Sequence, residues 1–320
     1  MVKTQGGDRV SKPIRFGIQA SQQNTTWKDL CEVWELIDEL GFDTAWNFDH
    51  FFPILSDPSG PCFEAWVSLT GLAACTKHVR IGTLVNGNTY RNPAVLANMG
   101  ATLDHVSGGR FILGLGGGWF EQEHVAYDIP FYTTAERIRR LDESLQIIKG
   151  LWTQKQFTFE GRYYQIKDAY CEPKPLRRPP IMIGGGGEKM TLKVAARHAD
   201  IWNTFGSPAV FKHKIDVLRE HCDAVGRDFN EIEISWSGLA AITESKKQKD
   251  TIVGALARAF GRPAEEVAEG LLVGSIEEVR DRVSQLIDVG VTHLIPLASA
   301  PFNHEWIRQF AEHIIPTFRS

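Results

Sequence analysis

Several features that would place a protein in a membrane, on a nucleic acid or around a metal are missing from this sequence. No apolar run is long enough to cross a bilayer, and residues 1–13 are too polar for a signal peptide, so we expect no membrane partner. The 39 acidic and 35 basic residues nearly balance, which predicts no nucleic-acid partner. The five cysteines form neither a CxxC pair nor a metal-ligand spacing, which is typical of reduced thiols in the cytoplasm.

What the sequence has instead is a regular alternation of short β-type runs with helical stretches. Its 320 residues, 43% of them hydrophobic, suffice for a large core. Apolar residues recur at helical spacing over residues 27–40 and 135–152, and a polar helical insertion covers residues 243–269. Eight β-type runs are predicted as strands: 15–20, 44–48, 79–85, 110–115, 181–184, 200–203, 232–241 and 292–297.

Eight strands, most of them followed by a helix, predict an α/β fold of the (β/α)8 TIM barrel type with insertions, and a doubly wound open sheet is the alternative. One insertion is a hairpin over residues 157–166, with Glu160 and Gly161 at its turn, after the fourth unit. The predicted organisation is therefore a flexible N-terminal segment, residues 1–13, followed by a single barrel domain over residues 14–320.

Two glycine-rich loops follow predicted strands. The first contains Gly116, Gly117 and Gly118, and it leaves room for a flat ring to lie against the backbone. A dinucleotide-binding GxGxxG motif is the weaker interpretation, because Trp119 stands where its last glycine belongs. The second loop consists of Gly184, Gly185, Gly186 and Gly187 and precedes a predicted helix. Free N–H groups at a helix start attract phosphate, although close strand-to-helix packing also explains glycine there. Two such loops predict one long cofactor held at two points.

The residues that end the predicted strands carry a resemblance to a known superfamily. Its motifs are GFDTAW at 41–46 leading to Asp49 and His50, YRNPAVL at 90–96, GLGGGWFE at 114–121, EGRYY at 160–164 and PIMIGGGG at 180–187. From about residue 15 to its C-terminus, the chain resembles the luciferase-like monooxygenases. It is most similar to the branch that uses the deazaflavin coenzyme F420.

This resemblance implies a bacterial luciferase-like barrel with the cofactor ring over the strand ends. Asp49 and His50 would face the reactive part of the ring, with the carboxylate fixing the tautomer of the imidazole; a loop cap and a core histidine are the structural alternative. The family carries a non-proline cis peptide that supports the ring, and it would fall at Leu84–Val85. Asn86 and Asn88 either form a solvent-facing turn or hydrogen-bond the polar edge of the ring.

The resemblance also implies how the rest of the cofactor is held. The loop from Gly116 to Trp119 would pass close to the ring or its ribityl chain, and the second glycine loop, together with Thr204, would bind the phosphate. Lys189, Arg91 and Arg197 are candidates for reaching the acidic tail of F420, although an ordinary exposed charge is the favoured interpretation for any one of them.

The substrate side of the site is less defined. Trp119 stands where the sugar-phosphate dehydrogenases of the family have a catalytic glutamate, which argues against glucose-6-phosphate as the substrate. Glu121, Glu123 and His124 are nearby candidates for an acid, and helix capping or surface salt bridges explain them as well. Residues 53–61 and 243–269 are the candidate lids. An apolar substrate pocket is predicted from seven aromatic residues: Phe51, Phe52, Trp66, Tyr90, Trp119, Phe120 and Trp236.

The predicted function is that of an F420-dependent oxidoreductase. It would transfer a hydride between F420 and a small organic substrate, with His50 handling the proton. One alternative keeps the fold but uses FMN, molecular oxygen and a partner flavin reductase, as in a monooxygenase. Another is a flavin-binding protein without catalytic activity. The resemblance also implies a homodimer, and cofactor preference separates the first two hypotheses.

Overall fold

The computed structural model describes residues 12–54 and 56–319. The predicted flexible segment, residues 1–13, lies outside the described residues except for its last two. The strands in chain order are β1 (Arg15–Ala20), β2 (Thr44–Asn47), β3 (Arg80–Thr83), β4 (Asn86–Gly87), β5 (Phe111–Gly116), β6 (Phe157–Glu160), β7 (Gln165–Ala169), β8 (Ile181–Gly184), β9 (Ile201–Thr204), β10 (Glu233–Ile242), β11 (Leu272–Gly274) and β12 (His293–Ala298).

Helices occupy most of the connections between these strands. They are α1 (Trp27–Glu39), α2 (Ala65–Cys75), α3 (Pro93–Val106), α4 (Glu121–Ala126), α5 (Thr134–Thr153), α6 (Thr191–His198), α7 (Pro208–Val225), α8 (Lys246–Phe260), α9 (Ala264–Glu269), α10 (Ile276–Asp288), α11 (His304–Gln309) and α12 (Ile315–Phe318). A 3-10 turn covers Phe229–Glu231, and a π-helical turn covers Phe310–Ile314. None of the helices in the described part of the chain has the length and apolarity that a membrane crossing requires.

Eight parallel strands close into a barrel. Along the barrel wall the order is β1, β2, β3, β5, β8, β9, β10 and β12, and β12 pairs with β1 to complete the circle. The predicted (β/α)8 barrel is therefore confirmed, and the open sheet is excluded. Two short strands extend the wall, with β4 pairing with β5 and β11 pairing with β10.

Both predicted insertions are present. Strands β6 and β7 form the antiparallel hairpin, in which Glu160 pairs with Gln165. The side chain of Glu143 on α5 holds the hairpin turn, because it accepts backbone N–H groups from Arg162, Tyr163 and Tyr164 at 2.8–3.2 Å. The polar stretch near the seventh barrel strand forms the helices α8 and α9.

The helices pack on the barrel through one apolar face. On α5, Ile138, Leu141, Leu145 and Ile148 are buried, which matches the helical spacing in the sequence. Thr133 caps this helix by accepting the backbone N–H of residue 136. Full burial of one such side chain contributes about 1.5–3 kcal/mol, so packing on the barrel accounts for most of the stability of each helix.

The inside of the barrel has its own small core and a polar base. Trp46, Ile112, Met182 and Ile295 are among the residues that fill it. At the N-terminal ends of the strands, His293 is fully buried and pairs with Glu233 at 2.7 Å through Nδ1 and with Thr44 at 2.8 Å through Nε2. Burial opposes ionisation of Glu233, but His293 outweighs it and the pKa of Glu233 is lowered. No local pattern in the sequence predicts this cluster.

Glycines bring the backbones of neighbouring strands together at the opposite end of the barrel. A Cβ on Gly114 of β5 would overlap the backbone carbonyl oxygen of Thr83, and one on Gly116 or Gly184 would lie 2.8 Å from Cγ2 of Val85. The side chain of Val85 therefore occupies the space that two glycines leave on β5 and β8. The close packing at this rim requires glycine.

Replacing Gly114 with alanine tests this packing. We expect Gly114→Ala to lower stability by about 1–3 kcal/mol, because the added methyl group forces β3 and β5 apart. Gly254→Ala on α8 is the matched control: its nearest neighbour would be Arg258 at 3.6 Å, and alanine favours the helix by about 0.5–1 kcal/mol. Thermal unfolding of the three proteins measures both changes. Equal midpoints for wild type and Gly114→Ala would contradict the packing argument.

Candidate active site

The segment after β2 is fixed by side chains from the neighbouring strand ends. Gln22 brackets Phe48, accepting its backbone N–H at 3.0 Å and donating to its carbonyl oxygen at 2.6 Å. Asn47 donates to the carbonyl oxygen of Ala65 at 2.8 Å. These bonds hold the chain that carries Asp49 and His50 at the carboxyl end of the barrel, where barrel enzymes place their chemistry.

His50 is paired with Glu123 of α4. Nδ1 of His50 lies 2.8 Å from Oε2 of Glu123, and the buried carboxylate also accepts the Tyr90 hydroxyl at 2.6 Å and the backbone N–H of Phe51 at 2.5 Å. The expectation that Asp49 orients His50 is therefore wrong. Because Nδ1–H donates to the ionised carboxylate, the imidazole in its neutral form presents Nε2 as an acceptor. Nε2 makes no hydrogen bond within residues 12–54 and 56–319.

Three short hydrogen bonds keep Glu123 ionised despite its burial, and the backbone N–H of Phe52 adds a longer one at 3.4 Å. Burial acts to raise the pKa of Glu123, but the bonds from His50, Tyr90 and Phe51 outweigh it and lower that pKa. Burial and the bond to Glu123 raise the pKa of Tyr90, which keeps its hydroxyl protonated as a donor. Of the three acid candidates on α4, Glu121 is exposed and Glu123 binds His50. His124 is buried between Thr89 and the Phe120 carbonyl.

Asp49 is turned away from His50 and toward Arg91. The guanidinium contacts both carboxylate oxygens, at 2.7 and 3.1 Å, and also binds Glu64 at 2.7 Å. Asp49 accepts the backbone N–H of Gly87 as well, at 3.1 Å. Burial raises the pKa of Asp49, and the guanidinium opposes that rise. Arg91 is thus committed to two carboxylates, which leaves it no free charge for a cofactor tail.

The rim above β3 contains the predicted cis peptide. The Leu84–Val85 bond is cis, and the carbonyl oxygen of Leu84 accepts a hydrogen bond from Gln19 at 2.8 Å. Asn86 is buried, donates to the Gly114 carbonyl at 2.6 Å and accepts from Trp66 at 2.6 Å. The solvent-facing turn is therefore excluded for Asn86, whereas its bond to the ring stays a prediction, because Nδ2 keeps a second N–H.

Asn88 differs from Asn86 in having a buried donor without a partner. It is 3% exposed, its backbone N–H donates to the Gly116 carbonyl at 3.0 Å, and its side-chain Nδ2 has no hydrogen-bond partner among the described residues. A buried amide costs free energy unless its hydrogen bonds are made. Asn88 is therefore a donor beside the first glycine loop that a ligand can satisfy.

The glycines of the first loop have different neighbours. Val85 packs on Gly116, and a Cβ on Gly117 would lie 2.6 Å from Ile138. Gly118 has a φ of +73°, a conformation that favours glycine. At least Gly116 and Gly117 therefore make room for the protein's own side chains, which corrects the interpretation of the loop as open to a ring throughout. Trp119 remains 62% exposed at its end.

The second loop forms a cradle beside two threonine hydroxyls and a lysine. Gly185 has a φ of +121°, and a Cβ on Gly186 would lie 3.0 Å from Oγ1 of Thr204. One on Gly187 would lie 2.8 Å from Oγ1 of Thr191, the first residue of α6. Lys214 of α7 donates to the Gly186 carbonyl at 2.6 Å. Thr204 is where the sequence predicted it, whereas Thr191 and Lys214 were missed.

Three aromatic rings pack around His50. Ring centroids of Phe48, Trp119 and Phe120 lie 6.2, 5.9 and 5.7 Å from that of His50, all edge-to-face. Phe52 packs on Phe120 at 5.6 Å. The other predicted pocket residues lie elsewhere: Trp66 and Trp236 in the core, Phe51 and Tyr90 against each other. The lid function of residues 53–61 and 243–269 stays a prediction.

A closed parallel barrel with an oriented histidine at the carboxyl ends of its strands defines a (β/α)8 protein with an enzyme-like site. The luciferase-like monooxygenase model matches residues 10–260, and the chain belongs to this family. It is 31% identical, over 100% of both chains, to the F420-dependent glucose-6-phosphate dehydrogenase of Kineococcus radiotolerans. It is 30% identical to that of Microbacterium testaceum, over 96% of this chain and 98% of the relative.

A solved structure supports the same fold. The F420-dependent secondary alcohol dehydrogenase in complex with an F420–acetone adduct superposes with a TM-score of 0.86. The alignment covers 97% of this chain and 100% of the other, at 23% sequence identity. At that identity the likeness concerns the fold alone.

The pairing of Glu123 with three donors predicts a pH-dependent loss of stability. Because the pKa of Glu123 is lowered on folding, its ionised form stabilises the fold above the ordinary value of 4.5, and this contribution is lost as the pH falls through the lowered value. We expect Glu123→Gln to cost about 1–3 kcal/mol near neutral pH, and the difference from wild type to narrow below about pH 4.5. Thermal unfolding across pH measures it.

Glu121→Gln is the control for this measurement, since Glu121 is exposed on the first turn of the same helix. Its unfolding midpoint should follow that of the wild type throughout the pH range. A wild-type advantage over Glu123→Gln that stays constant on acidification would mean that the charge of Glu123 does not stabilise the fold.

Proposed function

We propose that this protein is an oxidoreductase that transfers a hydride between coenzyme F420 and a small organic substrate. The observation that carries the proposal is His50, oriented by a buried carboxylate and presenting Nε2 at the carboxyl end of the barrel, the end at which both glycine loops lie. The relatives named as F420-dependent dehydrogenases support F420 over FMN.

The residues present at the rim fit such a cofactor. The unpartnered Nδ2 of Asn88 suits the polar edge of a ring, and Leu84 and Val85 would support its face. Cβ atoms added at Gly185, Gly186 and Gly187 would contact Thr191, Thr204 and Lys214, so the glycines leave space beside these side chains. Two hydroxyls and an ammonium group suit a phosphate. The first glycine loop would border the ring through Gly116, Gly117, Gly118 and Trp119. Asp49 would contribute to cofactor binding by fixing the backbone of Gly87 through a hydrogen bond.

His50 would handle the proton that accompanies the hydride. When bound, F420 supplies a carbon, C5, that accepts or donates a hydride. As a substrate hydroxyl is oxidised, Nε2 of His50 would take the hydroxyl proton, and it would return that proton to a carbonyl in the reverse direction. Glu123 would stabilise the charged imidazole, and the surrounding aromatic rings would exclude water.

The substrate we propose is uncharged and not glucose-6-phosphate. Trp119, Phe120 and Phe48 pack around His50 and give its surroundings an apolar surface. Such a wall favours an apolar alcohol or carbonyl compound. The resemblance also implies that Trp119 stands where the sugar-phosphate dehydrogenases have a catalytic glutamate, which would leave no additional acid at that point.

We also propose that the enzyme is a cytoplasmic homodimer. Free thiols at all five cysteines support a reducing compartment. The neighbouring helices α2 and α3 expose Val67 (77%) and Val95 (56%), and a second copy would cover them. The molar mass in solution is the measurement that separates a dimer from a monomer.

A parallel fluorescence titration with F420 and FMN tests the cofactor. We expect F420 to bind with a Kd in the micromolar range or below, which corresponds to about 8 kcal/mol or more, and FMN to bind at least tenfold more weakly. Stronger binding of FMN would replace the proposal with an oxygen-using monooxygenase. Binding of neither would remove the cofactor assignment of both glycine loops.

Replacing His50 tests the proton-transfer role. We expect His50→Ala to keep F420 binding within a few-fold of wild type and to lower turnover by about 100-fold or more, because general acid–base catalysis contributes that much. Turnover is followed by F420 absorbance with a panel of alcohols. His78→Ala, an exposed histidine before β3, is the control and should turn over like wild type. Normal turnover of His50→Ala would exclude His50 from the mechanism.

A further inference from the structure

An open cavity of about 390 Å³ lies between α5, the β6–β7 hairpin and α6. Its walls carry more cations than carboxylates, in a chain whose net charge is −4. Five basic side chains line it, from the two helices, the hairpin turn and the loop before α6: Arg139, Arg162, Lys189, Lys193 and Arg197. The candidate site described above does not use this cavity.

Most of this positive charge is not neutralised by neighbouring carboxylates. Asp142 is shared between Arg197 and His198, each at 3.1 Å. Glu143 accepts three backbone N–H groups of the hairpin turn. The other four cations make no ion pair in the described part of the chain, and all four are exposed. An unpaired group of cations around a cavity attracts a polyanion more strongly than scattered surface charges do.

The cavity adjoins both glycine loops. Lys189 follows Gly187 by two residues, and the backbone N–H of Leu192 donates to the Gly187 carbonyl at 3.0 Å, which fixes the start of α6 against the loop. Ile138 lines the cavity and also packs on Gly117 of the first loop. A ligand whose phosphate binds in the second glycine loop would therefore have this cavity beside the phosphate.

We propose that the cavity binds the polyglutamate tail of F420. The inference rests on the proposed function, because it takes the cofactor phosphate to lie at Gly185, Gly186 and Gly187. Beyond its phosphate, F420 continues through lactate into linked glutamates, each of which adds a carboxylate. Lys189 before α6, Lys193 on α6 and Arg139 on the facing α5 are unpaired among the residues that the structure describes and can meet successive carboxylates along such a chain.

The test compares two forms of the coenzyme on the intact protein by fluorescence titration. One form carries several glutamates and the other ends at the phospholactate. At low salt we expect the tailed form to bind about tenfold more tightly, and this advantage to shrink at about 0.5 M salt, where exposed charges are screened. Equal affinities of the two forms at low salt would overturn the inference and leave the proposed function standing. Binding of neither form would overturn both.

Charge reversal at the cavity supplies the second arm. Lys193→Glu should weaken binding of the tailed form about three- to tenfold and leave the truncated form unchanged, which also shows that the variant is folded. Lys77→Glu, an exposed lysine at the opposite end of the barrel, carries the same charge change and should bind both forms like wild type. Lys189→Glu is a second cavity variant, and we expect it to weaken binding of the tailed form to the same degree as Lys193→Glu. An unchanged affinity in both cavity variants would overturn the inference.

Discussion

The buried carboxylate of Glu123 is the group on which the candidate site depends. Removing a carboxylate from water costs several kcal/mol, and here three donors offset that cost. These donors come from the chain after β2, through His50 and Phe51, and from the loop after β4, through Tyr90. One side chain of α4 thus ties two strand ends together and fixes the tautomer of the histidine. Loss of its charge would loosen all three segments together.

The sequence predicts the fold well because the strands and helices follow from local hydrophobic patterns. The eight barrel strands, the hairpin and α5 follow from hydrophobic periodicity. The partner of His50 does not follow from such a pattern. Asp49 is adjacent to it, but adjacent side chains outside a helix project in different directions, so Asp49 meets Arg91 and His50 meets Glu123. The contact between His50 and Glu123 spans 73 residues and depends on how α4 packs against the barrel. From the sequence, Glu121, Glu123 and His124 are equally good candidates for that contact.

The glycine loops also show what a sequence cannot predict about a site. A sequence reveals that a side chain is missing, but not what occupies the space. At Gly116 and Gly184 the occupant is Val85, whose position depends on the register of β3 against β5 and of β5 against β8. At Gly186 and Gly187 no such core side chain intrudes, and the neighbours are hydroxyls and an ammonium. Only the second loop has surroundings that suit a phosphate, although both have the same composition.

The two sides of the rim differ in the surface they offer, and this difference constrains the reaction. Around His50 the wall is aromatic, with Trp119 and Phe120 edge-on to the imidazole. Beyond Gly187 the surface is cationic and open to solvent. Hydride transfer benefits from exclusion of water, whereas a multiply charged tail benefits from cations that stay hydrated. A cofactor that lies across the rim joins these two environments, so its affinity can reside in the charged half while its chemistry occurs in the apolar half. A phosphorylated substrate would require cations on the His50 side, where Arg91 is already bound by Asp49 and Glu64.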